Sequence, residues 1–134
     1  MTQGSQLQRL VEVMDQLRSP GGCPWDAEQT HESLLKYLLE ESYEFVDAVA
    51  AGNRVDMREE LGDVLLQVYF HARMAEDHPT DPFSIEEVAQ GIADKLIRRH
   101  PHVFAGVEVK SSEDVLQNWE DIKREEKGRT SALD

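Results

Sequence analysis

The sequence predicts an all-α fold, a bundle of about five helices in a single domain that covers residues 1–134. Apolar residues recur every three or four positions over long stretches of the chain, which is the period of an amphipathic helix. Glycine, proline and asparagine are concentrated between these stretches, where helices commonly end. No stretch shows the alternation of apolar and polar residues that marks a half-buried strand.

The first predicted helix covers residues 6–18 and begins with a capping box formed by Ser5 and Gln8. One face of this helix is apolar and consists of Leu7, Leu10, Val11, Met14 and Leu17. The segment 19–26, SPGGCPWD, ends the helix because its prolines and glycines cannot continue it.

The second predicted helix runs over residues 30–51, and the Gly-Asn pair at 52–53 stops it. The third covers about residues 54–77 and ends before HPTDP at 78–82. Because the connection between these two helices is so short, we expect them to pack antiparallel.

The fourth predicted helix covers residues 84–100 and begins with a Ser-x-x-Glu capping box. Residues 101–110 are predicted to be irregular, and a last helix follows over 113–127. The two ends of the domain, residues 1–4 and 128–134, are predicted to be frayed.

The chain is strongly acidic, with 27 Asp and Glu against 14 Lys and Arg, which gives a net charge of −13 with histidine neutral. A field of this sign argues against binding nucleic acid through the overall charge. The single cysteine, Cys23, excludes an internal disulfide and fits a reducing compartment. The N-terminal segment lacks the apolar run of a secretory signal, and no stretch approaches the roughly 18 apolar residues of a membrane span. We therefore expect a cytoplasmic protein with no nucleic-acid or membrane partner.

Two acids lie on the inner face of the third predicted helix. Residues 61–70 read LGDVLLQVYF, which is apolar nearly all round and is typical of a central helix or of a dimer interface. At 100° per residue, Glu60 and Asp63 emerge on the same face as Val64 and Met57. An unpaired carboxylate on such a face is costly or stays protonated. The pair therefore indicates a shared cation.

The second predicted helix carries a matching acidic stripe within LLEESYEFVD, made of Glu40, Glu41, Glu44 and Asp47. If the two helices pack antiparallel, Glu41 and Glu44 face Glu60 and Asp63 across the hairpin. Carboxylates that converge without histidine or cysteine favour a hard divalent cation, Mg²⁺ or Mn²⁺.

Two other interpretations of these acids remain open. An acidic stripe on a helix is often only a solvated face, although the acids at 60 and 63 on an otherwise apolar helix argue against it. A di-iron site would need Glu-x-x-His motifs on two core helices. The only such motif, Glu28 to His31, lies at a helix start.

Eight of the 14 basic residues lie between positions 95 and 129. Some of them, with one aromatic residue, share a helix side: Lys95 with Arg98 or Arg99 on the fourth helix, and Trp119, Lys123 and Lys127 on the fifth. Metal-binding acids together with such bases suit a metal-bound polyphosphate. The alternatives are that KLIRRH only complements its helix dipole and that Trp119 is a core or interface anchor.

Four ordered blocks of the sequence together resemble MazG, a family of nucleoside triphosphate pyrophosphohydrolases in the all-α NTP pyrophosphatase superfamily. The blocks are GGCPWDAEQTHESL at 21–34, the EExxE of Glu40, Glu41 and Glu44, the ExxD of Glu60 and Asp63, and KLIRRHPHVFAG at 95–106. EExxE alone is a weak signal, and the specificity comes from the four blocks in order. The resemblance covers about residues 20–127.

The resemblance implies Mg²⁺-dependent hydrolysis of NTPs and dNTPs to the monophosphate and pyrophosphate. Such an enzyme clears nucleotide pools as a helical homodimer or a dimer of dimers. The implied metal ligands are Glu41, Glu44, Glu60 and Asp63. The implied nucleotide-binding residues are Lys95, Arg98 or Arg99, Trp119, Lys123 and Lys127.

The chemistry follows as a hypothesis in which a metal-activated water attacks the α-phosphorus and pyrophosphate leaves. Glu40 or Glu44 orients or deprotonates that water, and we favour Glu40 because the other acids are already ligands. Trp25, which follows a Cys-Pro turn, either stacks on the base of the nucleotide or only anchors its own loop by packing. His71 is expected to be a hydrogen-bonded core or interface histidine, with a position beside the metal ligands as the other interpretation.

Two other functions stay open at this point. One is a non-catalytic acidic helical module that binds partner helices. The other is a phosphoribosyl-ATP pyrophosphohydrolase of the same superfamily, against which the HPHVF sequence speaks.

Overall fold

The computed structural model describes residues 5–133, with side chains described as far as residue 128. This part of the chain is helical and contains no strand. Its helices are α1 (Gln6–Arg18), α2 (Pro24–Glu28), α3 (His31–Ala51), α4 (Arg54–Ala75), α5 (Ile85–Arg99), α6 (Pro101–Phe104) and α7 (Ser112–Leu133). The predicted all-α class is confirmed, and each of the five predicted helices has a counterpart in α1, α3, α4, α5 or α7.

The number of helices is larger than predicted because two short helices form in segments that we expected to be irregular. In both α2 and α6 a proline occupies the first turn, where its fixed φ favours the helix and its missing N–H costs nothing. The predicted end of the last helix near residue 127 is also wrong, since α7 continues to Leu133. Residues 128–133, predicted to be frayed, belong to α7, whereas residues 1–4 and 134 lie outside the described residues.

Polar side chains cap the N-terminal ends of α1, α3 and α4. The Ser5 side chain accepts from the Gln8 N–H at the start of α1. Thr30 and Ser33 form a reciprocal capping box at the start of α3. Asn53 accepts from the Asp56 N–H at the start of α4.

A compact apolar cluster forms where α1, α3 and α4 meet. Its buried members are Met14, Leu34, Tyr69, Phe70 and Met74. Most of them belong to the C-terminal half of α4, whose buried residues begin at Gln67. The N-terminal half of α4 is more open, because Leu61 keeps 51% of its surface exposed. The predicted central helix, α4, is therefore buried only in the half that follows Glu60 and Asp63.

The junction between α1 and α2 is held by Arg18 and by a close turn at Gly22. Arg18 donates to the carbonyl oxygens of Asp26 at 2.7 Å and Gln29 at 3.2 Å. A Cβ at Gly22 would lie 2.2 Å from the Gln16 carbonyl oxygen. Only glycine therefore fits this turn without a backbone shift.

The described chain divides into two compact units, the first ending at Ile85 and the second beginning at Glu86. The first unit contains the apolar cluster and the α3–α4 hairpin. The second contains nearly all of α5 together with α6 and α7. A single domain over residues 1–134 stays a prediction. No helix among residues 5–133 is both long and apolar enough to cross a membrane.

Candidate metal and nucleotide site

The α3–α4 hairpin sets the geometry of the acidic residues. Gly52 ends α3 in the left-handed conformation, with φ of 67°, which glycine adopts without steric cost. Asn53 then caps α4 directly, so α4 returns along α3 in the most extensive helix–helix contact of the described chain. The hairpin brings the EExxE of α3 opposite the ExxD of α4.

Four carboxylates meet at this point of the hairpin: Glu41, Glu44, Glu60 and Asp63. One oxygen from each lies within 4.8 Å of the others. Glu44 is exposed, and the other three are partly buried. The structure therefore brings together all four residues that we predicted as metal ligands.

The electrostatic cost of this arrangement appears in the pKa values of the acids. The pKa of Glu60 is raised from 4.5 to about 7, first by burial, then by a hydrogen bond with Glu44 and by the charges of Glu44, Asp63 and Glu41. The pKa of Glu41 is raised mainly by burial, and the charges of Glu44, Asp63 and Glu40 add to the effect. Without a cation, the cluster therefore binds a proton at a higher pH than ordinary carboxyl groups do, and a divalent ion would compete with that proton.

The donor set fits a hard divalent cation. One oxygen each of Glu41 and Glu60 is buried and has no hydrogen-bond partner, which is unfavourable unless a cation or water occupies the space between them. All four donors are carboxylate oxygens at coordination spacing, the chemistry that Mg²⁺ and Mn²⁺ prefer.

The acidic surface extends beyond the four carboxylates. A cavity of about 320 Å³ beside them is lined by Glu44, Asp47, Ala48, Ala51, Asp56 and Glu60. Glu40, our preferred candidate for activating water, is exposed and raises the pKa of Glu41 through its charge. It therefore lies near the cluster without belonging to it.

Sequence reasoning did not select a further polar residue on the same face of α4. Gln67 is only 7% exposed, and its Oε1 is buried without a hydrogen-bond partner. Next on that face, His71 shares a hydrogen bond with His31 between two Nδ1 atoms 2.7 Å apart. The prediction of a hydrogen-bonded histidine at position 71 is confirmed. The signal that points to Gln67 is its place seven residues after Glu60, on the same face of the helix.

Trp25 lies at the start of α2 and contacts α3. Its ring is 48% exposed and packs edge-on against Tyr37, with ring centroids 5.9 Å apart. Tyr37 lies one helical turn before Glu41. The partly exposed Trp25 ring therefore contacts α3 one helical turn before the first residue of the acidic cluster.

In the second unit, a glutamate of α7 holds two of the predicted nucleotide-binding arginines. Arg98 Nε donates to Glu126, and Arg99 pairs with the other Glu126 oxygen at 2.9 Å. These bonds lower the pKa of Glu126 to about 2. Sequence reasoning missed this glutamate, because its partners lie 27 and 28 residues away.

The other predicted nucleotide-binding residues of this unit have different surroundings. Trp119 packs edge-on against His100, and its indole N–H is buried without a hydrogen-bond partner. Lys123 lies 4.0 Å from Glu120 within α7. Lys95 is partly buried and Lys127 is exposed. Binding of nucleotide by any of these residues stays a prediction.

Comparison with known proteins supports the resemblance found in the sequence. The family model described as the MazG nucleotide pyrophosphohydrolase domain matches residues 29–104. This region contains the whole acidic cluster and extends through α5 and α6.

Several curated relatives are about 50% identical to this chain over the region that aligns with it. The nucleoside triphosphate pyrophosphohydrolase of Mycolicibacterium smegmatis is 52% identical over 134 residues, covering 98% of this chain and 40% of that protein. The protein of the same name from Escherichia coli K12 is 48% identical, covering 97% and 50%. The nucleoside triphosphate pyrophosphohydrolase/pyrophosphatase MazG of Thermotoga maritima is 51% identical, covering 94% and 47%. The chain thus spans about half the length, or less, of these relatives.

A solved structure shares the fold. The crystal structure of a mazG-related protein from Thermotoga maritima matches with a TM-score of 0.69 at 27% identity. The match covers 87% of this chain and 98% of that one.

Proposed function

Because this chain belongs to the MazG nucleotide pyrophosphohydrolase domain family, we propose that it hydrolyses nucleoside triphosphates with the help of Mg²⁺. The products are the nucleoside monophosphate and pyrophosphate. NTPs and dNTPs are the proposed substrates, and the proposed role is clearance of unwanted nucleotides from cytoplasmic pools. The relatives that carry the pyrophosphohydrolase name support this reaction class.

The observation that carries the proposal is the convergence of Glu41, Glu44, Glu60 and Asp63 within 4.8 Å. These residues would hold Mg²⁺, or Mn²⁺ in its place. The cation supplies Lewis-acid activation of water and neutralises phosphate charge. The pKa of Glu60, raised to about 7 first by burial and then by the neighbouring acids, supports the assignment, because a bound cation would stabilise the charged carboxylate against both effects.

The carboxylates have different proposed roles. Glu41, Glu44, Glu60 and Asp63 would hold the cation through oxygens supplied by α3 and α4. Glu40 is exposed beside them and is therefore accessible to accept a proton from the attacking water. Glu44 is the alternative base, although its place among the four converging carboxylates supports a role as a ligand.

We assign the recognition of the nucleotide to aromatic and basic side chains. The exposed ring of Trp25 suits stacking against a base, since every base offers a π-face. Lys95, Arg98, Arg99, Trp119, Lys123 and Lys127 remain the proposed phosphate-binding residues. Arg99 Nε and Trp119 Nε1 support this proposal, because both are buried donors without a partner, and an anion would satisfy such donors.

A homodimer or a dimer of dimers is proposed for the assembly. Residues on α3 and α4 expose an unusual amount of apolar surface: Leu39 60%, Tyr43 69%, Val46 57%, Val55 75% and Leu61 51%. A groove of about 520 Å³ on α4 is lined by Val55, Met57, Leu61 and Leu65 together with Arg54, Arg58 and Gly62. Apolar patches of this kind are typical of protein interfaces.

The direct test is release of pyrophosphate from a panel of normal and modified NTPs and dNTPs, with Mg²⁺, with Mn²⁺ and with a chelator. Glu60→Gln should fold and lose the metal-dependent release. Glu59→Gln is the matched control, because Glu59 is the exposed neighbour on the same helix and the charge change is identical. Normal turnover of Glu60→Gln would refute the metal assignment.

The same panel separates the two alternative functions. An acidic interaction module would release no pyrophosphate from any substrate, and neither Mg²⁺ nor nucleotide would raise its Tm. A phosphoribosyl-ATP pyrophosphohydrolase would act on that substrate and leave ordinary NTPs intact.

A further inference from the structure

Gln67 is the residue of the α3–α4 hairpin that the proposed chemistry leaves unexplained. It is 7% exposed, and it is the only buried polar residue in the part of the chain that the structure describes. Its side-chain oxygen has no hydrogen-bond partner. A buried amide oxygen in this condition is unfavourable unless something outside the protein chain satisfies it.

The position of Gln67 on α4 indicates what satisfies it. Gln67 follows Asp63 by four residues and Glu60 by seven, so all three lie on one face of the helix. Long side chains in helices lean toward the N-terminal turn. From this preference we expect the Gln67 side chain to lean toward the carboxylates, and its Oε1 is buried and unpaired, as is one oxygen each of Glu41 and Glu60.

The chemistry of an amide suits this position. Divalent cations such as Mg²⁺ keep several water molecules when they bind carboxylates, and those waters need acceptors. A further carboxylate would add charge to a cluster in which four acids already lie within 4.8 Å. A neutral amide oxygen accepts a hydrogen bond without that repulsion.

His71 is the competing partner on the other side of Gln67. It lies four residues further along α4, and its Nε2 is also buried and unpaired. Its Nδ1 is engaged by His31. A bond between Gln67 and His71 would give the amide a purely structural role, so the experiment must separate the two.

On the basis of the proposed function, we propose that Gln67 is a positioning residue of the cation site, whose amide oxygen accepts a hydrogen bond from water bound to the cation. The residue does not touch the substrate. Its effect is on the affinity of the site for the cation and on the placement of the water shell.

The test is a titration of the whole chain with Mn²⁺ in the absence of nucleotide. Calorimetry measures the heat of binding, and the paramagnetic signal measures the concentration of free Mn²⁺. Gln67→Met keeps the length of the side chain and removes the oxygen. It should weaken Mn²⁺ binding by about tenfold, the lower end of the effect of residues that support metal ligands. Gln67→Glu retains an acceptor oxygen and should recover most of the Mn²⁺ affinity lost in Gln67→Met, although its charge adds repulsion to the metal-free cluster. Gln90→Met, an exposed position on α5, is the matched control and should bind like the unmodified chain.

The Tm measured without metal separates a purely structural role of Gln67 from a role in cation binding. If Gln67 only pairs with His71, Gln67→Met lowers the metal-free Tm and leaves Mn²⁺ affinity unchanged, and the inference is wrong. Gln67→Asn, which withdraws the oxygen by one methylene, serves as a second variant if Gln67→Met does not fold, and it should also weaken Mn²⁺ binding. Failure of the unmodified chain to bind Mn²⁺, or unchanged binding by Glu60→Gln, would instead overturn the proposed function.

Discussion

Glu44 of α3 and Glu60 of α4 bring one carboxylate oxygen each within 4.8 Å of one another across the helical hairpin. Burial and the neighbouring acids raise the pKa of Glu60 to about 7, so its carboxyl group binds a proton at a higher pH than an ordinary glutamate does. A proton and a divalent cation therefore compete for the same oxygens. This competition makes the site sensitive to both pH and metal.

The first prediction concerns the pH dependence of the metal-free Tm. Between the unfolded pKa of 4.5 and the folded pKa of about 7 for Glu60, the folded chain binds more protons than the unfolded chain. The stability contributed by this group is therefore present at low pH and is lost as the pH rises through that window. Glu60→Gln should show a shallower fall in Tm over this window than Glu59→Gln.

Saturating Mg²⁺ should raise the Tm more at a pH above 7 than below 5, because the cation then replaces no proton. Thermal melts at several pH values, with Mg²⁺ or with a chelator, measure both effects. An equal Mg²⁺ shift at all pH values in this range would contradict the competition.

The second prediction concerns Trp25. If its exposed ring stacks on the base, Trp25→Ala should raise the KM for NTPs by about tenfold, within the usual range for loss of one base–aromatic stack. Trp25→Phe keeps a ring and should retain most of the affinity. Inhibition by tripolyphosphate, which has no base, should be the same in all three proteins. A higher inhibition constant for tripolyphosphate in Trp25→Ala would show that the residue only holds its loop.

The third prediction concerns Glu126, which holds Arg98 and Arg99. Glu126→Gln should lower the Tm slightly and should tighten the binding of pyrophosphate, because the arginines lose a competing acid. Calorimetric titration with pyrophosphate measures this affinity. Glu108→Gln, an exposed position outside the helices, controls for the change in net charge. A lower Tm with unchanged pyrophosphate affinity would mean that these arginines serve only the packing of α7.

The fourth prediction tests the turn between α1 and α2. Gly22→Ala places a Cβ 2.2 Å from one carbonyl oxygen and 2.4 Å from another, so the backbone must shift. We expect a loss of about 2 kcal/mol in the free energy of unfolding, as for other overpacked sites. Gly91→Ala, a helical glycine with open space around it, should instead stabilise the chain by roughly 1 kcal/mol. Urea unfolding of both variants gives the comparison.

The fifth prediction concerns the proposed self-association. Val55 is 75% exposed in the apolar groove of α4, and burying a charge there would be costly. Val55→Glu should raise the dissociation constant of the homodimer by at least about tenfold, as measured by light scattering after size-exclusion chromatography. Val103→Glu, at a similarly exposed position on α6, is the control. An unchanged mass for Val55→Glu would exclude this groove from the interface.

The helical pattern could be predicted from the sequence because its causes are local. The caps at Ser5 and Asn53 lie within three residues of the N–H groups they bind. The shared face of Glu60 and Asp63 follows from the 3.6-residue turn alone. The short α2 and α6 were missed because our prediction treated proline only as a helix breaker, although it also favours a first turn.

Other features depend on residues that are distant in the chain. The bond between His31 and His71 spans 40 residues, and Arg99 meets Glu126 across 27. Neither pairing follows from spacing, because it depends on how the helices pack. The same packing decides that Gln67 is buried while Leu61 remains exposed.

The sequence by itself determined the helical class, the acids and the face on which they lie, since a helix fixes the direction of each side chain relative to its near neighbours. Only the tertiary structure decided how closely those acids approach each other, which of their oxygens lose contact with water, and that Gln67 is buried on the same helix face. These properties depend on the distance between two helices, and that distance is set by apolar packing elsewhere in the first unit.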